Sequence, residues 1–363
     1  MRGVGANGGD SVDAGLTTDA INDRTVVVNR GADATPPRCS LPANAARRWL
    51  AFDSDRADGN RDIYVVRADG SQLVRLTTDP SIEKDPAFSH DGRSLAFASN
   101  RGGAMQVYVM DLATSGVRKL TSSTLSADQP SWSHDDRRIA FRGSGHRDAG
   151  PYLGPVEQSV YVINADGTAP HAVVHPNRPQ SSSHPSFSLD DAELLSDRSN
   201  GIDAVRVDGT GARHVLEPWT TTIETPALSP DGVSVAYAIY CTSERIAITP
   251  FAGRNIDDAG FRLCQSTFVT AAFTRRPAWG PDGVIAFEQL RPVDVGGDAA
   301  ARSWWDAGEA HAPRTVVTRP GGEEHASIAV VTGPGPEACV IALGGPGDNR
   351  NPSWAPAGFQ PTR

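Results

Sequence analysis

Six stretches of this chain place a polar residue directly before a proline: Asp85, Gln129, His184, Thr225, Arg276 and Asn351. The residues one step earlier are polar as well: Lys84, Asp128, Ser183, Glu224, Arg275 and Arg350. Read in order, the set is acidic through Asp85, Asp128 and Glu224 and basic through Arg275, Arg276 and Arg350. Two kinds of chemistry could use it. His184 with Asp128 and Glu224 has the donor types of a divalent-metal or acid–base site. A mouth of mixed charge also suits an anchored polar ligand or the charged tail of a partner. A lone histidine is a poor metal set, so no metal and no cofactor are expected. Asp85, Asp128, His184, Glu224, Arg276 and Asn351 are read as contacts to a ligand or partner. Trp304 and Trp305, adjacent in a long insertion, supply large rigid surfaces of the kind that anchor partners and join this list.

The elements that position these residues are repeated. The segment DPAFSHDGRSLAFASNRGGAMQVYVMDLATSGVRKLT, residues 85–121, holds four short strand candidates separated by turn signals. Its latter half recurs before it as WLAFDSDRADGNRDIYVVRADGSQLVRLT from Trp49. Its opening recurs after it as DQPSWSHDDRRIAFR, HPSFSLDDAELLS, TPALSPDGVSVAYA, RPAWGPDGVIAFE and NPSWAPAG. Asp-Gly or Asp-Asp corners, as at Asp91-Gly92 and Asp135-Asp136, turn the first strand into the second because these residues accept φ > 0. The second and third strands are apolar on both sides, so each unit must be sandwiched between neighbours.

Six first-strand prolines, Pro86, Pro130, Pro185, Pro226, Pro277 and Pro352, predict an all-β, six-bladed β-propeller. The last copy stops where its second strand should begin, and the unit starting at Trp49 lacks a first strand. The C-terminal strand is therefore expected to complete blade one and close the ring, leaving no long unpaired edge.

Composition agrees. Glycine (36) and proline (27) are too frequent for a helical protein of 363 residues and suit many tight turns. The net charge of −9 and the lack of a basic run exclude the footprint of a nucleic-acid binder. No apolar stretch approaches the ~20 residues of a membrane-spanning helix. Residues 1–46 are rich in small and polar types, with one short apolar run at Val26-Val27-Val28, and read as a flexible leader to a propeller of residues 47–363. No signal peptide is visible, and the stretch GADATPPRC resembles the spacer between a lipid anchor and an exported domain.

The string P-x-[W/F]-S-x-D-G-x-x-[I/L]-A-F, followed by [I/V]-Y-V, D-G and L-T, resembles the repeat of TolB-like propellers from Trp49 to the end of the chain. The match is fullest in the first three units. The resemblance implies a propeller fold and, less tightly, a function. Similar repeats occur in TolB, in the propellers of prolyl-oligopeptidase-like enzymes and in oligogalacturonate lyases. No G-x-S-x-G elbow accompanies the repeat here, which removes the peptidase reading. The preferred expectation is a non-catalytic, monomeric, extracytoplasmic binding protein with a protein or peptide partner. The alternative is a carbohydrate-active enzyme resembling oligogalacturonate lyase.

Long insertions, residues 143–158, 217–223 and 290–326, share the face opposite the Asp-Gly turns, and the channel mouth is expected there with them. An Asp53-x-Asp55 stretch departs from the calcium-loop spacing and reads as a turn. Four cysteines admit four free thiols or two disulfides. Strand placement favours Cys241 with Cys264, which leaves Cys39 with Cys339.

Overall fold

Alternation of short apolar strands with Asp-Gly, Asp-Asp and Ser-rich corners yields antiparallel meanders. The computed structural model describes residues 26–27, 41, 43–121, 125–145, 157–173, 182–198, 201–216, 222–240, 244–251, 274–280, 283–290, 326–332, 340–343 and 348–361. Their strands fall into six sheets. One complete unit runs Glu83–Phe88, Ser94–Ser99, Gln106–Asp111 and Val117–Lys119, each strand paired with the next. The following units start with the inner strands Ser126–Trp132, Ser182–Phe187, Thr222–Leu228 and Thr274–Trp279. The remaining sheet joins the two parts of the chain as expected, because Asn349–Trp354 pairs with Trp49–Ser54, which pairs in turn with Asp62–Arg67. This is an all-β propeller.

The core lies between sheets. Ala51, Ile63 and Val65 pack with Phe88, Leu95 and Phe97 of the next sheet. The same kind of cluster recurs at each succeeding boundary. It also joins Val284, Ala286 and Ile328 to Leu50, Phe52 and Tyr64. Burying a phenylalanine such as Phe97 contributes on the order of 2–3 kcal/mol, so the interfaces carry the fold.

Aromatic side chains tie neighbouring inner strands together. Trp132 Nε1 donates to the Ala87 carbonyl, Trp279 to Ala227 and Trp354 to Ala278, all at 3.0–3.1 Å. Trp354 lies so close to Gly280 that a Cβ there would meet its ring at 2.6 Å, which explains the glycine.

Two parts of the stretch read as leader belong to the structure. Val26–Val27 pairs with Val340–Ile341 and extends that sheet to five strands. Leu41 and Ala45, the latter on the helix Ala43–Ala46, pack into the cluster between the last and first sheets. The flexible-leader expectation is corrected at these points. Small polar neighbours hid an edge-covering strand, which β-branched valines favour.

Candidate functional site

Each inner strand carries a bulge at its X-Pro step. In the second unit Lys84 pairs with Ala98 and Ala87 with Ala96, so Asp85-Pro86 stands opposite Phe97 alone. The same skip occurs in the other five sheets. The residue before proline adopts φ between 49° and 56° in all six: Asp85, Gln129, His184, Thr225, Arg276 and Asn351. A left-handed, non-glycine residue is costly and persists only where its surroundings hold it. Five of these amides are held by a group from the preceding sheet. Asp85 N donates to Asp53 Oδ1 (3.0 Å), Gln129 N to Asp85 Oδ2 (3.4 Å) and His184 N to Gln129 Oε1 (3.0 Å). Thr225 N donates to Asp197 Oδ2 (3.1 Å) and Asn351 N to Glu288 Oε1 (2.7 Å).

Above this ring opens a central cavity of ≈ 560 Å³. Its wall is layered. The bulge residues form the floor, the six prolines come next, and then a tier of small residues: Ala87, Ser131, Ser186, Ala227, Ala278 and Ser353. The lining continues to Ser89-His90, His134 and Ser229-Pro230, at or beside the turns into the second strands. The cavity therefore opens on the face of the Asp-Gly turns. The expectation placed the mouth on the insertion-bearing face, most of whose long loops lie outside the described residues. Each inner strand starts two or three residues before its bulge, so the X-Pro step lies inside the channel rather than at its entrance.

The floor is polar but internally neutralised. Asp53 is fully buried and accepts from Arg61 Nη1 (2.6 Å), Asn351 Nδ2 (2.6 Å) and the Asp85 amide. Burial, with Asp85 adding to it against the opposing Arg61 charge, pushes its carboxyl up to about 6. Lys84 Nζ bridges Asp85 (3.2 Å) and Asp128 (2.8 Å), and Arg142 binds Asp128 through Nε and Nη2. Burial works against the Asp128 charge, but the Arg142 hydrogen bonds and the Lys84 charge hold its carboxyl below the usual range. Arg276 stands 3.5 Å from both Asp85 and Glu288, and Arg275 pairs with Glu288 at 2.9 Å. The expected division into an acidic and a basic side is thus corrected, because the charges interleave around the ring.

His184 has both ring nitrogens engaged. Nδ1 lies 2.9 Å from Asp197 Oδ2, and Nε2 lies 2.9 Å from Gln129 Nε2. With the Gln129 oxygen accepting from the His184 amide, its amide nitrogen donates to Nε2, leaving the proton on Nδ1. The arrangement braces the ring and leaves this imidazole no open nitrogen.

Of the residues singled out in the sequence, Asp85, His184, Arg276 and Asn351 line the cavity together. Asp128 lies just behind, bound to Lys84 and Arg142, and Glu224 is exposed outside the lining. Trp304 and Trp305 and the four cysteines lie outside the described residues, as do most of the three long insertions. Sequence reasoning missed the acceptors Asp53, Asp197 and Glu288. Each directly follows the second-strand residue opposite a bulge (Phe52, Ser196 and Phe287), and that register was the available signal.

Fold and channel define a β-propeller built from inner-strand bulges around an open central cavity. The TolB beta propeller domain family matches residues 20–150. The Tol-Pal system protein TolB of Bordetella pertussis is 47% identical over 45 residues, 12% of this chain and 10% of that protein. The chain's matches span about a tenth of the length of the curated relatives concerned. The crystal structure of TolB from Acinetobacter baumannii superposes with a TM-score of 0.62 at 15% identity, over 87% of this chain and 68% of that one. An oligogalacturonate lyase in complex with manganese gives a TM-score of 0.51 at 13% identity, over 82% of this chain and 86% of its own. At such identities the structural likeness is one of fold. The chain carries a β-propeller, and the family match over residues 20–150 marks its first units as TolB-like.

Proposed function

We propose that this chain is a six-bladed propeller, closed by its C-terminal strand, that binds a protein or peptide partner without catalysing a reaction on it. The partner enters the central cavity from the face of the Asp-Gly turns. One observation carries the reading: the ≈ 560 Å³ cavity is walled by prolines and small residues, while the charged groups of its floor are spent on one another. A rigid, proline-walled funnel suits an extended segment, because a preformed wall adds little ordering cost on binding. Leu189 and Val233, in adjacent turns on the same face, are 41% and 58% exposed and add an apolar rim.

The lyase reading has weaker support: of the three histidines that line the cavity, His184 at the floor is braced on both nitrogens by Asp197 and Gln129, and His134, near the turns, is tied to Asp191. The protein is further proposed to be extracytoplasmic and monomeric, the first by its likeness to a Tol-Pal system protein. Asp85, Arg276 and Asn351 are the floor groups for the tip of the partner, and Trp304 and Trp305 are proposed as further anchors.

The test is a plug. Ser186→Trp places an indole in the tier of small residues, and capture of a partner from an envelope fraction should fall by more than tenfold (~1.4 kcal/mol) with an unchanged melting temperature. Undiminished capture by a folded Ser186→Trp protein would remove the channel from the account.

A further inference from the structure

A second concavity, of ≈ 360 Å³, lies beside the channel on the turn-bearing face, and Pro356 lines both. Arg47, Arg48 and Arg67 border it, and among the described residues its lining holds no carboxylate. Arg67 is set in place. Its guanidinium lies 4.8 Å from the Trp49 ring centre, Nε donates to Gln72 Oε1 at 2.8 Å and Nη1 to the Arg47 carbonyl at 2.6 Å. Arg47 is exposed and Arg48 half-buried, and neither has an acidic partner within 4 Å among the described residues.

That arrangement runs against the rest of the molecule. The chain carries a net charge of −9, and the channel-floor arginines Arg61, Arg142, Arg275 and Arg276 each face a carboxylate. Three arginines lining one pocket without an acid favour an anion, and the planar fork of arginine matches a carboxylate. The pocket is not purely polar. Trp49, 3% exposed, and Phe359 meet edge to face at 6.2 Å within its lining, so the anion arrives on an aliphatic stem or beside an apolar residue. Because Pro356 lines both cavities, a chain leaving the channel over this blade reaches the pocket.

We propose that the Arg47–Arg48–Arg67 pocket receives a carboxylate side chain from an acidic peptide segment of the partner. The proposal rests on the reading that the partner approaches this face, and it specifies the chemistry next to the entering segment: glutamate or aspartate, with an apolar neighbour for Trp49 and Phe359.

The experiment uses the full chain and a fluorescein-labelled hexaglutamate peptide, followed by fluorescence anisotropy at low ionic strength. The wild-type protein should bind the peptide, and affinity should fall as salt is raised. Arg47→Glu combined with Arg48→Glu should weaken binding by roughly tenfold or more, while the double Lys variant, which keeps the charge and loses the fork, should fall between it and the wild type. These side chains lie at the surface, so all variants should melt with the wild type. Inorganic phosphate at matched ionic strength should not displace the peptide. Equal binding by the charge-reversed protein, no binding by the wild type, or full displacement by phosphate would each overturn the proposal. Ser186→Trp, which fills the channel alone, should still bind hexaglutamate. Failure of the pocket is thereby separated from failure of the channel reading.

Discussion

Asp53 shows how much of the site is decided by a single buried carboxyl. It accepts from Arg61, Asn351 and the Asp85 amide and so joins the sheet closed by the C-terminal strand to its neighbour. Its carboxyl is raised to about 6 from 3.8, first by burial and then by the nearby Asp85, with Arg61 opposing. A raised carboxyl binds its proton more tightly folded than unfolded. Its contribution to stability therefore grows as pH falls from about 6 towards 4 and is lost as pH rises through 6. Asp53→Asn removes that proton. The stability of the wild type relative to Asp53→Asn, measured by urea unfolding, should improve by about 2 kcal/mol between pH 7 and pH 4.5. A gap independent of pH would show that Asp53 ionises in the folded protein as it does in the unfolded chain. Asp128 and Asp197, held below the usual range despite burial, push the other way only at lower pH.

At the scale of the element, the bulged inner strand is the unit from which the channel is made. Each bulge puts a left-handed residue before proline, and an aromatic residue of the second strand fills the opposite position in five sheets: Phe52, Phe97, Phe141, Tyr237 and Phe287. Asp, Asn and His tolerate this conformation, whereas a β-branched residue adopts it only under strain. Thr225 is thus the strained member at φ 56°, and its buried hydroxyl lacks a partner among the described residues. Thr225→Asn should raise stability by about 1 kcal/mol, read as a higher melting temperature. A fall would mean that the threonine methyl packs more usefully than the strain costs.

This element was only half legible in the sequence. The X-Pro spacing gave the repeat and the ring of residues at Asp85, His184, Arg276 and Asn351, because turn residues and apolar alternation are local signals. The bulge was not visible, since a proline inside a strand reads as an edge. Without the bulge, the X-Pro step reads as the strand's entrance, whereas it lies two or three residues inside the strand. The carboxylates Asp53, Asp197 and Glu288 act across sheets through strand register, which only the assembled ring fixes. The arginine pocket draws on residues from both ends of the chain, Arg47 and Phe359 among them, and no local pattern joins those.

For the whole molecule, the proposed ring rests on the pairing of Asn349–Trp354 with Trp49–Ser54 and on the core between the last and first sheets. A ring has two unlike faces. One presents the turns into the second strands, the open cavity, the exposed Leu189 and Val233 and the arginine pocket. The other carries the turns between second and third strands, Ala104 among them. The partner is proposed to bind the first face, and site-specific photocrosslinking of the captured partner tests that most directly. A photoreactive residue in place of Ser186, inside the cavity, should give a discrete covalent adduct with the partner, and the same residue in place of Ala104 should give none. Adducts from Ala104 with none from Ser186 would put the partner on the opposite face and contradict the channel as its site.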